Sequence, residues 1–320
     1  MRATLLGVQA LVVLLGIALA ASQFGGLHAA LDNLSNFPVH FAAAFLVCAA
    51  ILAIARRGRW AFIAAAGLAV SLVPVVPWYF SSDKEAADGG DGGAKLLVSN
   101  VYFRNRHYEK LARLIDVERP DVIGLVEVDT KWLDNLPALR NAYPFRFEAP
   151  HDASSGLAVL SRFPLRDSRI ERFGEEALPA IVTTLQIPGG EVELILAHPP
   201  PPIDADFAGR RDAELRTIAR YVRASTKPLL LAGDLNVTMW NRNYRALVKA
   251  GGLHNARAGR GIGPTWPAVA ILGIPIDHIM ATPPVHFRSF EVHQGIGSDH
   301  RPISAEFGLH ACLRAGGNAC

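Results

Sequence analysis

The sequence has few cysteines, and their spacing matches no zinc-binding pattern. Of the three cysteines, Cys48 lies in an apolar run, and Cys312 and Cys320 lie close to the C-terminus. No histidine or further cysteine stands near the last two at a metal-ligand spacing. The sequence leaves two alternatives open for that pair: a small disulfide loop in an oxidising compartment, or two free thiols.

Two common catalytic motifs and a basic excess are also missing. No HExxH stretch is present, so a zinc peptidase is not supported, and no GxxxxGK[ST] stretch indicates a P-loop. The net charge of the whole chain is +3. Without the first 82 residues, acidic and basic residues are equal in number, which argues against a domain that coats nucleic acid. A local basic groove remains compatible with this balance.

Charged residues are scarce in the first 80 positions, where only five occur: Arg2, Asp32, Arg56, Arg57 and Arg59. Three apolar runs, at residues 4–22, 37–55 and 60–80, each approach the ~20 residues that span a bilayer as a helix. A cleaved signal peptide would account for the first run only. A soluble helical bundle would show polar faces that these runs lack. We therefore expect residues 1–80 to form a transmembrane anchor of about three helices.

The positions of the arginines predict the orientation of this anchor. Arg56, Arg57 and Arg59 lie between the second and third runs and should face the cytoplasm, whereas the loop at residues 23–36 has no lysine or arginine. Three spans then place the chain after Phe80 outside the cytoplasm, with Trp78 and Tyr79 at the membrane interface. If one of the three runs does not span the membrane, the chain after Phe80 is instead predicted to lie in the cytoplasm.

The remaining chain divides into a linker at residues 81–94, rich in Gly and Asp, a globular domain at 95–308 and a tail at 309–320. Apolar runs and amphipathic stretches alternate in the globular domain, which favours a layered α/β sandwich. The predicted strands cover residues 96–101, 121–128, 156–161, 181–187, 191–197, 228–232, 276–281 and 301–307, and the predicted helices cover 107–118 and 207–224.

Polar side chains stand at the ends of several of these apolar strands. A carboxylate beside a buried strand costs free energy unless it is paired or binds a cation, so a set of them at comparable positions indicates one convergent site. Carboxylate and amide oxygens suit Mg²⁺ or Mn²⁺, and phosphoester hydrolysis needs such a cation, a positioned water and donors for the phosphoryl oxygens. The set comprises Asn100, Glu127, His198, Asp234, Asn236, Asp277, Asp299 and His300.

The order of these motifs resembles the endonuclease/exonuclease/phosphatase superfamily, which includes pancreatic deoxyribonuclease, abasic-site endonucleases, inositol-polyphosphate phosphatases and bacterial sphingomyelinases. The similarity rests on Asn100, on residues 121–127 ending in Glu127, on residues 233–236, on Ile276 to His278, and on the Gly-Ser-Asp-His-Arg-Pro stretch at 297–302. It covers about residues 95–308. The resemblance implies a four-layer α/β/β/α sandwich with the site at one end of the paired sheets.

The resemblance also implies a role for each residue. Glu127 should be the main metal ligand, with Asn100 and Asp299 close by. Asp234 should orient or deprotonate the attacking water, and Asn236 should stabilise the pentacovalent phosphorus. His300 should contact the phosphate while Asp277 fixes its tautomer, and His198 should contact the phosphate or the leaving group. Trp266 resembles an element that packs beneath the site and is interpreted as structural.

Three functions fit the sequence. The first is a membrane-bound hydrolase of an extracytoplasmic, lipid-linked or other small phosphate or pyrophosphate ester; some similar bacterial members of the superfamily are linked to undecaprenyl-pyrophosphate recycling and glycopeptide resistance. The second is a nuclease with nucleic acid bound along an arginine track. The third is a non-catalytic membrane receptor or scaffold that retains the fold. The arginine track of the nuclease alternative would consist of Arg104, Arg106, Arg210, Arg211, Arg242 and Arg245.

Overall fold

The computed structural model describes residues 2–80, 93–269 and 273–310. Cys312 and Cys320, most of the predicted linker and most of the predicted tail lie outside the described residues, so the alternatives for that cysteine pair stay predictions. Cys48 is a buried free thiol.

Two six-stranded mixed sheets dominate the chain after residue 93. The strands are β1 (Gly93–Asn100), β2 (Val122–Val126), β3 (Phe145–Ala149), β4 (Leu157–Ser161), β5 (Leu165–Arg172), β6 (Pro179–Ile187), β7 (Gly190–Leu196), β8 (Leu229–Asp234), β9 (His254–Asn255), β10 (Asp277–Ala281), β11 (Val285–Val292) and β12 (Ile303–Leu309). The strand orders in the two sheets are β11-β12-β1-β2-β4-β3 and β5-β6-β7-β8-β10-β9. The helices are α1 (Arg2–Ala21), α2 (Ala29–Leu34), α3 (Pro38–Ile54), α4 (Gly58–Leu72), α5 (Tyr108–Glu118), α6 (Thr130–Asp134), α7 (Ala138–Ala142), α8 (Ala205–Ala224) and α9 (Arg242–Gly251).

Three apolar cores stack these elements into four layers. The first core lies between the sheets, where side chains such as Leu96 and Val159 of one sheet meet Leu194 and Leu230 of the other. The second core packs α8 and α9 on the outer face of the second sheet. The third packs α5, α6 and α7 on the outer face of the first sheet. Burial of both sheet faces explains why the central strands are apolar throughout, and the predicted α/β/β/α sandwich is confirmed.

Parallel strand pairs bring several strand ends to one edge. β1 pairs in parallel with β2, and β7 pairs in parallel with β8. β10 runs antiparallel to β8, with Asp277 opposite Asp234. The carboxyl ends of β1, β2, β7 and β8 and the start of β10 therefore carry six of the eight polar motif residues, and Asp299 and His300 lie in the loop that leads into β12.

The N-terminal helices differ from the predicted three spans. Among the described residues, only the helical stretch Arg2–Phe24 has the length and apolarity of a membrane span. α3 has 17 residues and α4 has 15. At ~1.5 Å per residue they are about 26 Å and 22 Å long, shorter than the ~30 Å hydrocarbon layer. α4 ends at Leu72 because Pro74 follows closely and cannot continue the helix. A three-span anchor is therefore not supported by these lengths.

The N-terminal helices also pack on the sandwich. We call residues 22–37, which include α2, the α1–α3 connection. Its Asp32 side chain is buried against Arg211 of α8. Trp78, expected at a membrane interface, instead makes an edge contact with Tyr244 of α9, and its carbonyl accepts a hydrogen bond from the Gly261 N–H.

Candidate active site

The ends of β1, β2 and β8 bring an amide and two carboxylates into direct contact. The Asn100 side-chain amide donates to Glu127 Oε1 at 3.0 Å and to Asp234 Oδ2 at 3.1 Å. The Tyr102 N–H donates to Asn100 Oδ1 at 3.0 Å, which fixes the orientation of that amide. Burial raises the pKa of Glu127, and the nearby His198 offsets this only in part. Asn100 therefore holds two acidic side chains together across the two sheets.

His198 follows β7 and faces the same carboxylates. Its Nδ1 lies 3.0 Å from the Ser154 carbonyl, so this nitrogen donates and carries a hydrogen. Its Nε2 points to Asp234 Oδ2 at 3.5 Å and Glu127 Oε1 at 3.9 Å. Burial alone would lower the pKa of His198, but the hydrogen bond and charge of Asp234 outweigh it and raise the pKa. His198 can thus present a proton at Nε2.

His300 and Asp277 form a second buried pair beside Asp234. His300 Nδ1 lies 3.0 Å from Asp277 Oδ2, and His300 Nε2 lies 3.5 Å from Asp234 Oδ2. Burial opposes charge on His300, but Asp277 and Asp234 outweigh it and raise the pKa of His300 to about 10. Burial likewise opposes charge on Asp234, yet His300, His198 and the Asn236 N–H lower its pKa to about 2. His300 is therefore a cation and Asp234 an anion at neutral pH.

Two residues of the site hold unusual backbone conformations. Glu127 has φ of +58° and Asn236 has φ of +51°, in the left-handed region that non-glycine residues rarely adopt. The Asn236 side-chain amide donates to the Pro199 carbonyl at 2.9 Å, and the Asn236 carbonyl accepts from the Arg211 guanidinium at 3.1 Å. Such strain persists only when surrounding contacts enforce it, and it concentrates at functional sites.

Asp299 joins the site through Trp266, the residue interpreted from sequence as structural. The Trp266 indole N–H donates to Asp299 Oδ2 at 3.1 Å, and its ring centroid lies 6.4 Å from that of His300. The Trp266 side chain is 38% exposed. Trp266 thus orients one carboxylate while its ring remains open to a ligand.

All eight predicted site residues converge on one cavity of about 370 Å³. Six of them line it directly, and Asn100 and Asp277 stand behind as hydrogen-bond partners of Glu127, Asp234 and His300. A larger cavity, of about 640 Å³, lies among α1, α3 and α4 and is lined by no carboxylate or histidine. The six lining residues are Glu127, His198, Asp234, Asn236, Asp299 and His300.

Candidate metal-binding groups are present in this cavity. Asp234, Asp277 and His300 offer ligand atoms within 4.8 Å of one another. Glu127 and Asp299 add carboxylate oxygens to the same cavity, and Asn100 adds an amide group beside Glu127; oxygen donors are the ligands that a hard divalent cation prefers. A second cluster of Glu118, Glu291 and His293 lies elsewhere, with Lys95 already on Glu118 at 2.5 Å.

Sequence reasoning missed several residues that complete the site. The Ser298 hydroxyl donates to the Asn100 carbonyl at 2.8 Å and accepts from the His300 N–H at 3.0 Å, so it joins two motifs. Asn33 and Phe37 of the α1–α3 connection also line the cavity. Ser298 lies within the motif at residues 297–302, and the signal for the α1–α3 connection was the isolated polar cluster Asp32, Asn33 and Asn36 within an otherwise apolar segment.

Solved structures with the same fold have varied substrates. An endonuclease/exonuclease/phosphatase protein from Beutenbergia cavernae has a TM-score of 0.58 and 21% identity over 70% of this chain and 74% of its own. TDP2 from D. rerio, solved with a single-strand DNA product, has a TM-score of 0.59 and 17% identity over 68% of this chain and 100% of its own. A mannosyl-6-phosphatase from Bacteroides thetaiotaomicron has a TM-score of 0.52 and 17% identity over 68% of this chain and 100% of its own.

A search of curated proteins gives no match to this chain. The model of the Endonuclease/Exonuclease/phosphatase family matches residues 97–300, which covers more than half of the chain and contains all eight site residues. The chain therefore belongs to the endonuclease/exonuclease/phosphatase family.

Proposed function

We propose that this chain is a membrane-attached, divalent-metal-dependent phosphoesterase that hydrolyses a lipid-linked phosphate or pyrophosphate ester outside the cytoplasm. The observation that carries the proposal is the single cavity in which Glu127, His198, Asp234 and His300 converge beside apolar side chains. Family membership supports the phosphoesterase chemistry, whereas the substrate and location are inferred from the site and the N-terminal helices.

We assign Glu127, Asn100 and Asp299 as the ligands of Mg²⁺ or Mn²⁺. When bound, the cation would supply Lewis-acid polarisation of a phosphoryl oxygen. His300, held cationic by Asp277, donates from Nε2 to a phosphoryl oxygen and stabilises the charge that develops there. The Asn236 side chain assists at the same phosphorus.

Asp234 and His198 handle the protons of the reaction. A carboxylate with a pKa of about 2 accepts a hydrogen bond from water but is a weak base, so Asp234 orients the attacking water. As the water oxygen bonds to phosphorus it becomes acidic and gives up a proton to Asp234, which passes it to solvent, while the bond from phosphorus to the leaving oxygen breaks. His198 Nε2 faces the cavity and gives its proton to that leaving oxygen.

The N-terminal segment supplies the membrane attachment in this proposal. Most of the large apolar side chains that are exposed in the described residues lie before residue 81, including Leu14, Ile17, Ile54 and Phe62. An apolar surface of this extent on a soluble chain would drive aggregation, whereas a bilayer would cover it. α1 has the length of a span, and α3 and α4 contribute apolar surface next to it.

The side of the membrane follows from contacts rather than from the number of spans. Asp32 and Asn36, which follow the carboxyl end of α1, bond to Arg211 and Thr238 of the sandwich. The catalytic domain therefore lies on the side that the carboxyl end of α1 reaches. With Arg2 cytoplasmic, this side is extracytoplasmic.

The decisive experiment measures phosphate release from undecaprenyl pyrophosphate by the full-length protein in detergent. We expect release with Mg²⁺ or Mn²⁺, loss of release with EDTA, and recovery when the metal is restored. His300→Ala should lower kcat by about 10²- to 10⁴-fold, the usual effect of removing one charge-stabilising or proton-transfer group. Folded wild-type protein that releases no phosphate from this lipid would overturn the substrate assignment.

A nuclease is the second candidate, because a similarly folded protein was solved with a single-strand DNA product. The ion pairs of the arginines expected to form a phosphate track argue against a nuclease. Arg211 is fully buried against Asp32 and Asp212, Arg106 pairs with Asp129, and Arg210 pairs with Asp206 and Glu176. Metal-dependent nicking of plasmid DNA without release of lipid phosphate would favour the nuclease. A folded protein inactive on every phosphoester would instead favour the receptor or scaffold.

A further inference from the structure

The α1–α3 connection is bonded to the loops that carry the catalytic residues. Asp32 accepts hydrogen bonds from Arg211 at 3.1 Å, from Asn241 at 2.9 Å and from Asn243 at 3.3 Å. Asp32 is 4% exposed and Arg211 is fully buried. A buried ion pair costs free energy unless further hydrogen bonds satisfy it; all three donors meet Asp32 Oδ2, whereas Asp32 Oδ1 is buried without a hydrogen-bond partner. The contact is therefore a built interface and not a chance approach of two surfaces.

The same ion pair reaches the backbone of a proposed catalytic residue. Arg211 contacts Asp32 with one terminal nitrogen and donates to the Asn236 carbonyl with the other, at 3.1 Å. Asn236 has a positive φ and needs outside contacts to hold it. The N-terminal segment thus helps to fix the conformation of the loop after β8.

Two asparagines attach the connection at further points beside the cavity. Asn36 Oδ1 accepts from the Thr238 N–H at 3.2 Å and from the Thr238 hydroxyl at 2.8 Å. The Asn33 amide donates to the Pro202 carbonyl at 3.1 Å. The connection therefore bridges the loop after β8 and the proline-rich loop after β7.

This bridge places apolar surface of the N-terminal segment inside the catalytic cavity. Phe37 lines the cavity together with Ile203, Ile274 and Ile276. Ile203 is 72% exposed. A ligand that covers this apolar surface would bind more favourably, because the surface is removed from water. The cavity therefore presents carboxylates and imidazoles together with apolar side chains. A ligand that contacts both must itself be amphiphilic.

We infer that the α1–α3 connection forms part of the substrate site, and that Phe37 binds the apolar chain adjoining the phosphate of an amphiphilic phosphoester. Ile203, Ile274 and Ile276 complete this apolar wall. Asp32 is a positioning residue that acts through Arg211 on Asn236. The inference rests on the proposed phosphoesterase function and assigns the N-terminal segment a role in specificity as well as attachment.

The test compares two substrates that share a reacting group and differ in apolar length. Isopentenyl pyrophosphate carries one isoprene unit and farnesyl pyrophosphate carries three. For full-length protein with Mg²⁺, we expect Phe37→Ala to lower the ratio of kcat/KM for farnesyl to kcat/KM for isopentenyl pyrophosphate by about tenfold, mainly through KM. This is the size of effect that loss of an apolar side-chain contact produces. Phe37→Leu should retain most of the ratio.

Phe24→Ala is the matched control, because Phe24 belongs to the same connection, is 59% exposed and does not line the cavity. It should leave the ratio unchanged. A ratio in Phe37→Ala equal to that of the wild type overturns the inference while leaving the phosphoesterase function intact. A wild type that releases phosphate from neither of these pyrophosphates nor from undecaprenyl pyrophosphate overturns both. Because isopentenyl pyrophosphate reports on the same protein sample, a folding defect lowers both rates and leaves the ratio informative.

Asp32→Asn tests the positioning role separately. Loss of the charge on Asp32 should loosen Arg211 and the Asn236 loop, so kcat should fall about tenfold for both pyrophosphates with little change in their ratio. A change confined to KM for farnesyl pyrophosphate would show that Asp32 acts on the apolar wall and not on the catalytic loop, which would overturn its assignment.

Discussion

Most buried charged side chains near the cavity are paired with a group of opposite charge. A buried carboxyl without such a partner should make the free energy of unfolding depend on pH. Asp234, Asp277, His198 and His300 compensate one another through contacts of 3.0 to 3.5 Å. Glu214 of α8 is different. Burial raises the pKa of Glu214 to about 7, and the Leu178 backbone and the His198 charge offset this only in part.

Glu214 should make folding less stable as pH rises from about 4.5 through 7. Its folded pKa lies above its unfolded value, so the unfolded chain releases the proton first and stability falls through this window. Glu214→Gln should remove the fall and stabilise the protein by roughly 3 kcal/mol at pH 8, with little effect at pH 4. Urea unfolding at both pH values measures this. Glu175→Gln, at an exposed position, is the control; an equal effect in both variants would contradict the argument.

Asp277 should matter for rate more than for substrate binding. It lies behind His300 and reaches the cavity only through the 3.0 Å contact with His300 Nδ1. Asp277→Asn should therefore lower kcat for phosphate release by about 10- to 100-fold and change KM little. Asp206→Asn, on the exposed face of α8, should leave kcat unchanged. An Asp277→Asn variant with normal kcat would show that His300 needs no charged partner.

At the scale of elements, the close approach of β7 and β8 depends on a glycine. Gly233 has φ of +137°, and a Cβ at this position would lie 1.9 Å from the Ala197 carbonyl oxygen. Both strands lead directly into site residues, His198 and Asp234. A side chain at position 233 must therefore displace one of these two strand ends.

Gly233→Ala should destabilise the protein by about 2–4 kcal/mol through strained backbone and steric overlap. Gly209→Ala is the matched control, because nothing lies within 4 Å of a Cβ there and the residue is inside α8. That variant should gain up to about 1 kcal/mol from helix propensity. Thermal unfolding of the two variants measures this difference in stability. Similar melting temperatures would show that β7 and β8 can move apart with little loss of folding free energy.

The central strands and the site could be predicted from sequence because their signal is local. An apolar run that ends in a carboxylate or amide occurs at β1, β2 and β8, and parallel pairing then brings these ends together. The half-exposed edge strands β3 and β5 were missed, because polar residues interrupt their apolar pattern. The apolar run at residues 37–55 matches α3 within one residue at each end, but the run at 60–80 continues past the end of α4 at Leu72, since an apolar run does not distinguish helix from the turns that follow it.

At the scale of the whole molecule, the docking of the N-terminal helices on the sandwich could not be predicted. The Asp32 to Arg211 pair joins residues 179 positions apart, and no periodicity or spacing records such a contact. Sequence composition separated an apolar segment from a globular domain and so favoured an independent anchor. The structure instead joins the two parts through buried polar contacts beside the cavity that the candidate site residues line.

If α1 spans a membrane, as we propose, these contacts set the side of the membrane on which the sandwich lies. If α3 and α4 both cross the bilayer, or if neither does, the sandwich still lies beside the carboxyl end of α1, because Asp32 and Asn36 bond to it. A C-terminal alkaline phosphatase fusion, which is active only outside the cytoplasm, should therefore be active, and a C-terminal green fluorescent protein fusion should be dark.

An epitope inserted at Arg57, in the turn between α3 and α4, separates the two arrangements that the C-terminal fusion does not. If the two helices cross despite lengths of 17 and 15 residues, the epitope is cytoplasmic and is protected in intact cells. If they return without crossing, lipid shields the epitope from both faces of the membrane. It then becomes accessible only after detergent removes the lipid, and not when the cytoplasmic face alone is exposed. A fluorescent C-terminal fusion would place α1 in the opposite orientation. Because the contacts at Asp32 hold the sandwich beside the carboxyl end of α1, the cavity would then face the cytoplasm and act on cytoplasmic phosphoesters.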